Sequence, residues 1–75
     1  MNVKQGNTYW GMVGKREVER RVNIIETRSS GTQYVNWTHI KKDGTLGKSS
    51  WTERRKFEEW AKGLFESFIN LPGEE

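Results

Sequence analysis

The sequence predicts an α+β domain: a small, curved antiparallel sheet of three to four strands over about residues 8–49, packed by one C-terminal helix over about residues 51–69. Two observations lead there. Residues 1–50 alternate in polarity between glycines at 6, 11, 14, 31, 44 and 47, the pattern of short strands and tight turns. From Ser50 the period changes: Phe57, Trp60, Ala61, Leu64, Phe65, Phe68 and Ile69 recur at three- and four-residue steps, as on one helical face. A chain of 75 residues holds one core, so residues 1–75 read as a single domain, with a short flexible tail expected over 70–75.

The first strand is expected over Thr8–Val13 and the second over Val18–Thr27. On the second, strict alternation puts Val18, Val22 and Ile24 on one face and Arg21, Asn23 and Ile25 on the other. Arg28-Ser-Ser-Gly31 is turn chemistry, and Gln33–Ile40 is a third strand with Val35, Trp37 and His39 on one side and Tyr34, Asn36, Thr38 and Ile40 on the other. Asp43-Gly44 signals a tight hairpin turn into a short fourth strand, Thr45–Ser49. Ser50-Trp-Thr-Glu53 fits a capping box at the start of the helix, and Asn70 with Pro72-Gly73 ends it. Gly63 inside that helix implies close packing on the sheet. The expected core is Val22, Ile24, Val35 and Trp37, covered by Trp60.

Only 32% of the chain is hydrophobic and 31% is charged, a balance that borders on disorder. Four Trp, three Phe and two Tyr offset it, because each buries a large area from one position. With no Cys there is no disulfide framework and no thiolate metal site, which fits a cytoplasmic protein. The first ten residues lack the apolar run of a signal peptide, and no stretch reaches membrane-spanning length, so no membrane partner is expected. Asn36-Trp37-Thr38 then reads as a chance sequon.

Nothing in the sequence looks like an active site. Gly44-Thr-Leu-Gly-Lys-Ser49 has two residues between its glycines where a P-loop needs four. A weaker phosphate site, Lys48, Ser49 and Ser50 at the helix start, competes with an ordinary capped end. His39 has no second His or Cys with which to share a metal and no nucleophile spaced for a triad. Glu58 and Glu59 are adjacent on a helix and diverge, so they cannot act as an acid/base pair. The chain is therefore expected to be non-enzymatic, with no catalytic residue, metal or cofactor.

Charge gives the one positive signal. Residues 1–50 hold nine Lys/Arg against four acids, a net +5, and residues 51–75 a net −2. Lys15 and Arg16 lie in the first turn, Arg20 and Arg21 on the second strand, Lys41 and Lys42 in the third turn, with Trp10, Tyr34 and Asn36 nearby. Arginine for phosphate and aromatic rings for bases suit nucleic acid. The same residue types make hot spots for a protein partner. Trp10, Lys15, Arg16, Arg20, Arg21, Tyr34, Asn36, Lys41 and Lys42 are thus the candidate binding residues. Arg21, Asn23, Tyr34 and Asn36 are expected together, with Tyr9 or Trp10, on the sheet face away from the helix. A host-protein inhibitor or adaptor is the alternative, since four tryptophans exceed what so small a core needs, and Trp51 falls beside the apolar stripe.

The order Gly6-x-x-Tyr9-Trp10, a basic turn, Arg21-Val22-x-Ile24-Ile25, Tyr34-Val35-x-Trp37, Asp43-Gly44 and Ser50 through Phe57-x-x-Trp60 resembles small SH3-like or KOW-like β-barrel proteins of phages and prophages. It covers about residues 6–60, and the long apolar helix departs from it. The resemblance implies a nucleic-acid-binding accessory or regulatory protein of phage or prophage type. A second resemblance is to three-stranded-sheet-plus-helix DNA binders such as AP2 domains and integrase arm-binding domains. It implies Arg20, Arg21 and Tyr34 as groove-reading residues.

Overall fold

The computed structural model, which describes residues 1–65, is one five-stranded antiparallel sheet with a single short helix. Strands β1 (Thr8–Val13), β2 (Arg16–Thr27), β3 (Gln33–Ile40) and β4 (Leu46–Glu53) run as a meander. Helix α1 (Arg54–Trp60) then carries the chain to β5 (Ala61–Leu64), which pairs with β1, so the sheet order is β4-β3-β2-β1-β5.

This corrects the predicted architecture of three to four strands under one long helix. Trp51–Glu53 belong to β4, the helix has seven residues, and the segment after it is a strand. The capping box is not made: Ser50 sits in β4 opposite Trp37, and Glu53 at the helix start makes no side-chain cap hydrogen bond. The phosphate site imagined at that helix start goes with it. The apolar spacing misled because Ala61-Lys62-Gly63-Leu64 satisfies a strand as well as a helical stripe. Two glycines decide between them: Gly63 lies opposite Trp10 and Gly11 opposite Ala61, and neither holds a side chain that would keep β5 off β1. Phe68, Ile69 and the predicted tail lie outside the described residues.

Cross-strand partners share a face of the sheet. The rows Tyr9–Arg20–His39, Val22–Trp37–Ser50 and Ile25–Val35–Thr52 define the core face. A bulge at Asn23 breaks the alternation predicted for β2, so Val22 and Ile25 point the same way, and Ile24, expected in the core, is 48% exposed on the other side. The core is Val3, Tyr9, Val22, Val35, Phe57 and Ala61, with Ile25, Trp37 and Trp60 packed against it. Tyr9, not Trp10, is therefore the buried member of that pair.

The N-terminal segment seals one end. Val3 is fully buried, its amide donates to Glu58 Oε2 at 3.0 Å, and Arg54 donates to Val3 O, Asn2 Oδ1, Gln33 Oε1 and Glu58 Oε2. Gln5 Oε1 accepts from the Ile25 amide at 2.7 Å, beside the bulge. No described helix is long and apolar enough to cross a membrane.

Candidate functional site

Helix α1 and residues 1–5 cover only part of the core face. Toward the β1–β2 and β3–β4 turns the face lies open as a trough. One part, about 220 Å³, is lined by Val13, Arg16, Val18, Arg20, Trp37 and His39. It continues across Trp37 and His39 to Lys41, Leu46, Gly47, Lys48 and Ser50. The alternation of β2 and β3 explains the lining: Val18, Arg20, Trp37 and His39 share the face of the buried core residues, and α1 reaches Trp37 and Arg20 only at their edge of the trough, through Phe57 and Trp60. Among the described residues four cations and no acid line the trough, while Glu17 and Glu19 line an adjoining hollow that also touches Arg16, Val18, His39 and Lys41. Glu17 and Glu19 alternate onto the outer face of β2, opposite Met12 and Trp10.

Arg20 stands where the closed core meets the open trough. Its Cζ lies 4.1 Å from the Trp37 ring centroid and 4.2 Å from that of Trp60, so the guanidinium is held between two indoles. Its enclosed Nε finds no acceptor among the described residues, and neither does Trp60 Nε1. Loss of solvent there pushes the Arg20 pKa down from its ordinary value. That value lies so far above neutrality that the group stays cationic. Trp37 is fixed from the other side as well: its Nε1 donates to Thr52 Oγ1 at 2.9 Å, and its ring packs on Phe57.

The sequence-predicted residues divide between two faces. Arg16, Arg20 and Lys41 line the trough. Lys15 is exposed in the adjoining β1–β2 turn, and Lys42 is exposed in the β3–β4 turn. Trp10, Arg21, Tyr34 and Asn36 lie on the outer face, where the register groups Arg21 with Thr38 and Asn36 with Trp51. There the polar groups satisfy one another: Asn23 Nδ2 donates to Asn36 Oδ1 at 3.0 Å and Thr38 Oγ1 at 2.8 Å, and Thr38 pairs with Ser49 Oγ at 2.8 Å. Arg28 stacks over Tyr34 at 4.0 Å and reaches Trp51 at 5.2 Å. Sequence reasoning missed Trp37 as a site residue by giving it wholly to the core, His39 by giving it no role, and Lys48 by assigning it to a helix end. Their shared signal was parity, since Trp37 and His39 fall on the same side of one strand.

The described residues hold no cluster of three or more His, Cys, Asp or Glu side chains arranged to bind a metal ion. Comparison with known protein families, curated proteins and solved structures finds no match.

Proposed function

We propose that the protein is a non-enzymatic nucleic-acid-binding module, accessory or regulatory in role, that holds a single strand in the trough. The observation that supports this reading is the lining: Trp37 and His39 on the floor, with Arg16, Arg20, Lys41 and Lys48 around them and no acid among the described residues. A groove of one charge sign attracts a phosphate backbone, and the ring surface that half-buried Trp37 and His39 leave open suits unstacked bases of any sequence. Exposed Val13 adds apolar surface at one end of the trough. Duplex DNA is a poorer fit, since its bases are stacked away from such a floor.

Fluorescence anisotropy with labelled oligo(dT) and oligo(rU) tests the reading. Binding at low salt should weaken with a log–log slope of about −2 to −3, the loss of counterions from three or four neutralised phosphates of a single strand. Absence of binding to either oligomer at low salt removes it.

One observation favours a protein partner: the Tyr34–Arg28–Trp51 stack on the outer face leaves Trp51 46% exposed, and Trp, Tyr and Arg dominate interface energetics. Capture of one specific protein that survives nuclease treatment and is lost with Trp51→Ala would support that reading.

A further inference from the structure

Arg20 differs from the other three cations of the trough in its surroundings. It is the one trough cation that is fixed. Arg16, Lys41 and Lys48 are exposed side chains, whereas the Arg20 guanidinium is clamped between Trp37 and Trp60. Among the described residues it has no counter-ion, the ion pairs there being Arg28–Glu26 and Arg54–Glu58, and its Nε finds no acceptor. Its Nε is enclosed, which closes the side-on approach to the fork. Among the described residues Nε alone of its three nitrogens is both enclosed and unpartnered, and the residue lines the trough. What remains is an end-on pair of donors.

A guanidinium so placed meets the requirements of an oxyanion receptor. Its planar fork matches two oxygens of a phosphate group, and stacking has already removed the rotamer freedom that binding would otherwise cost. Partial desolvation strengthens each hydrogen bond it makes. A guanidinium that served only to fill the space between two rings would gain nothing from lining a trough beside three further cations. We infer that Arg20 is the receptor for one phosphate group of the bound strand, gripped end-on through Nη1 and Nη2, while the neighbouring bases lie along Trp37 and His39. This rests on the proposed nucleic-acid reading and sharpens it, because it separates one structured phosphate contact from the diffuse ones at the rim.

The test measures oligo(dT) binding by the parent and by Arg20→Lys, which keeps the charge and the alkyl stem but loses the fork. Affinity should fall about tenfold with the salt slope unchanged, because geometry and not charge has been removed. Equal affinity of the two proteins overturns the inference while leaving the nucleic-acid reading intact. Failure of the parent to bind removes that reading first.

Should the variant melt too low to assay, nitrogen NMR of the Arg20 guanidinium in the parent gives the answer. Its terminal nitrogens should shift with oligo(dT) and not with the uncharged methylphosphonate analogue. A shift with both, or with neither, overturns the inference. Oligomers with and without a 5′-phosphate distinguish the source: equal shifts mark an internal diester, and a shift confined to the phosphorylated oligomer marks a strand end.

Discussion

Trp60 lies against Gly11 so closely that a Cβ on Gly11 would stand 2.4 Å from Trp60 Cε2 and 2.6 Å from the Trp60 carbonyl oxygen. The ring could swing away from such a Cβ, but the carbonyl belongs to the backbone that turns α1 into β5. Gly11→Ala should therefore force β5 from β1 and destabilise the protein by about 1–3 kcal/mol, as overpacking does. Thermal melts check this, with Gly47→Ala as the control. At position 47 the nearest atom is His39 Cδ2 at 3.2 Å, in a half-buried side chain, and the loss should be clearly smaller.

Phe57 is the only fully buried side chain that α1 contributes, packed among Tyr9, Trp37 and Trp60. Phe57→Ala should cost about 3–5 kcal/mol through lost burial and the cavity left behind. A domain with stability near the low end of about 5–15 kcal/mol would then be mostly unfolded at ambient temperature. Circular dichroism and denaturant titration measure this. Trp51→Ala, at an exposed position on the outer face, should stay within about 1 kcal/mol of the parent.

The Arg20–Trp60 stack should register as coupling, not as two independent losses. A double-mutant cycle of Arg20→Met and Trp60→Phe should give an interaction energy of about 0.5–2 kcal/mol for a partly desolvated cation over indole. Additive effects on the denaturant midpoint would mean that the indole and the guanidinium touch without attracting.

Asp43 accepts hydrogen bonds from the Thr45 hydroxyl at 2.7 Å and the Thr45 amide at 3.0 Å, and the hydroxyl bond first, then the amide, holds its carboxyl below the usual range. A depressed folded-state pKa contributes stability that is fully present above the unfolded value, about 3.9, and is lost as pH falls through the folded value. The stability gap between the parent and Asp43→Ala should thus be constant near neutrality and narrow below about pH 4. Melts at stepped pH follow it, and a gap that widens toward acid would contradict the assignment.

How much of this was legible in the sequence follows from which contacts are local. β1 and β3 fall where alternation and turn residues put them, because those signals lie within the strands themselves. The bulge at Asn23 has no such mark. It turns Ile24 outward and brings Ile25 in, so every face assignment past Val22 on β2 needed its partner strand. The helix was overextended for a related reason. Phe57 and Trp60 are truly helical, but Ala61 and Leu64 continue their spacing by coincidence, and what makes 61–64 a strand is β1, about fifty residues earlier. The cations Arg16, Arg20 and Lys41 were found from composition, yet their separation from Arg21 and Tyr34 depends on sheet parity. Nothing local announces that Arg20 sits between Trp37 and Trp60.

The most direct test of the account compares one charge reversal on each face. Lys48→Glu lies in the trough and Arg21→Glu on the outer face, and both change the net charge equally, so long-range attraction falls alike. Oligo(dT) affinity at fixed salt should drop at least about tenfold with Lys48→Glu and no more than about threefold with Arg21→Glu. Equal losses, or the larger loss with Arg21→Glu, would contradict the placement of the nucleic-acid strand in the Trp37–His39 trough.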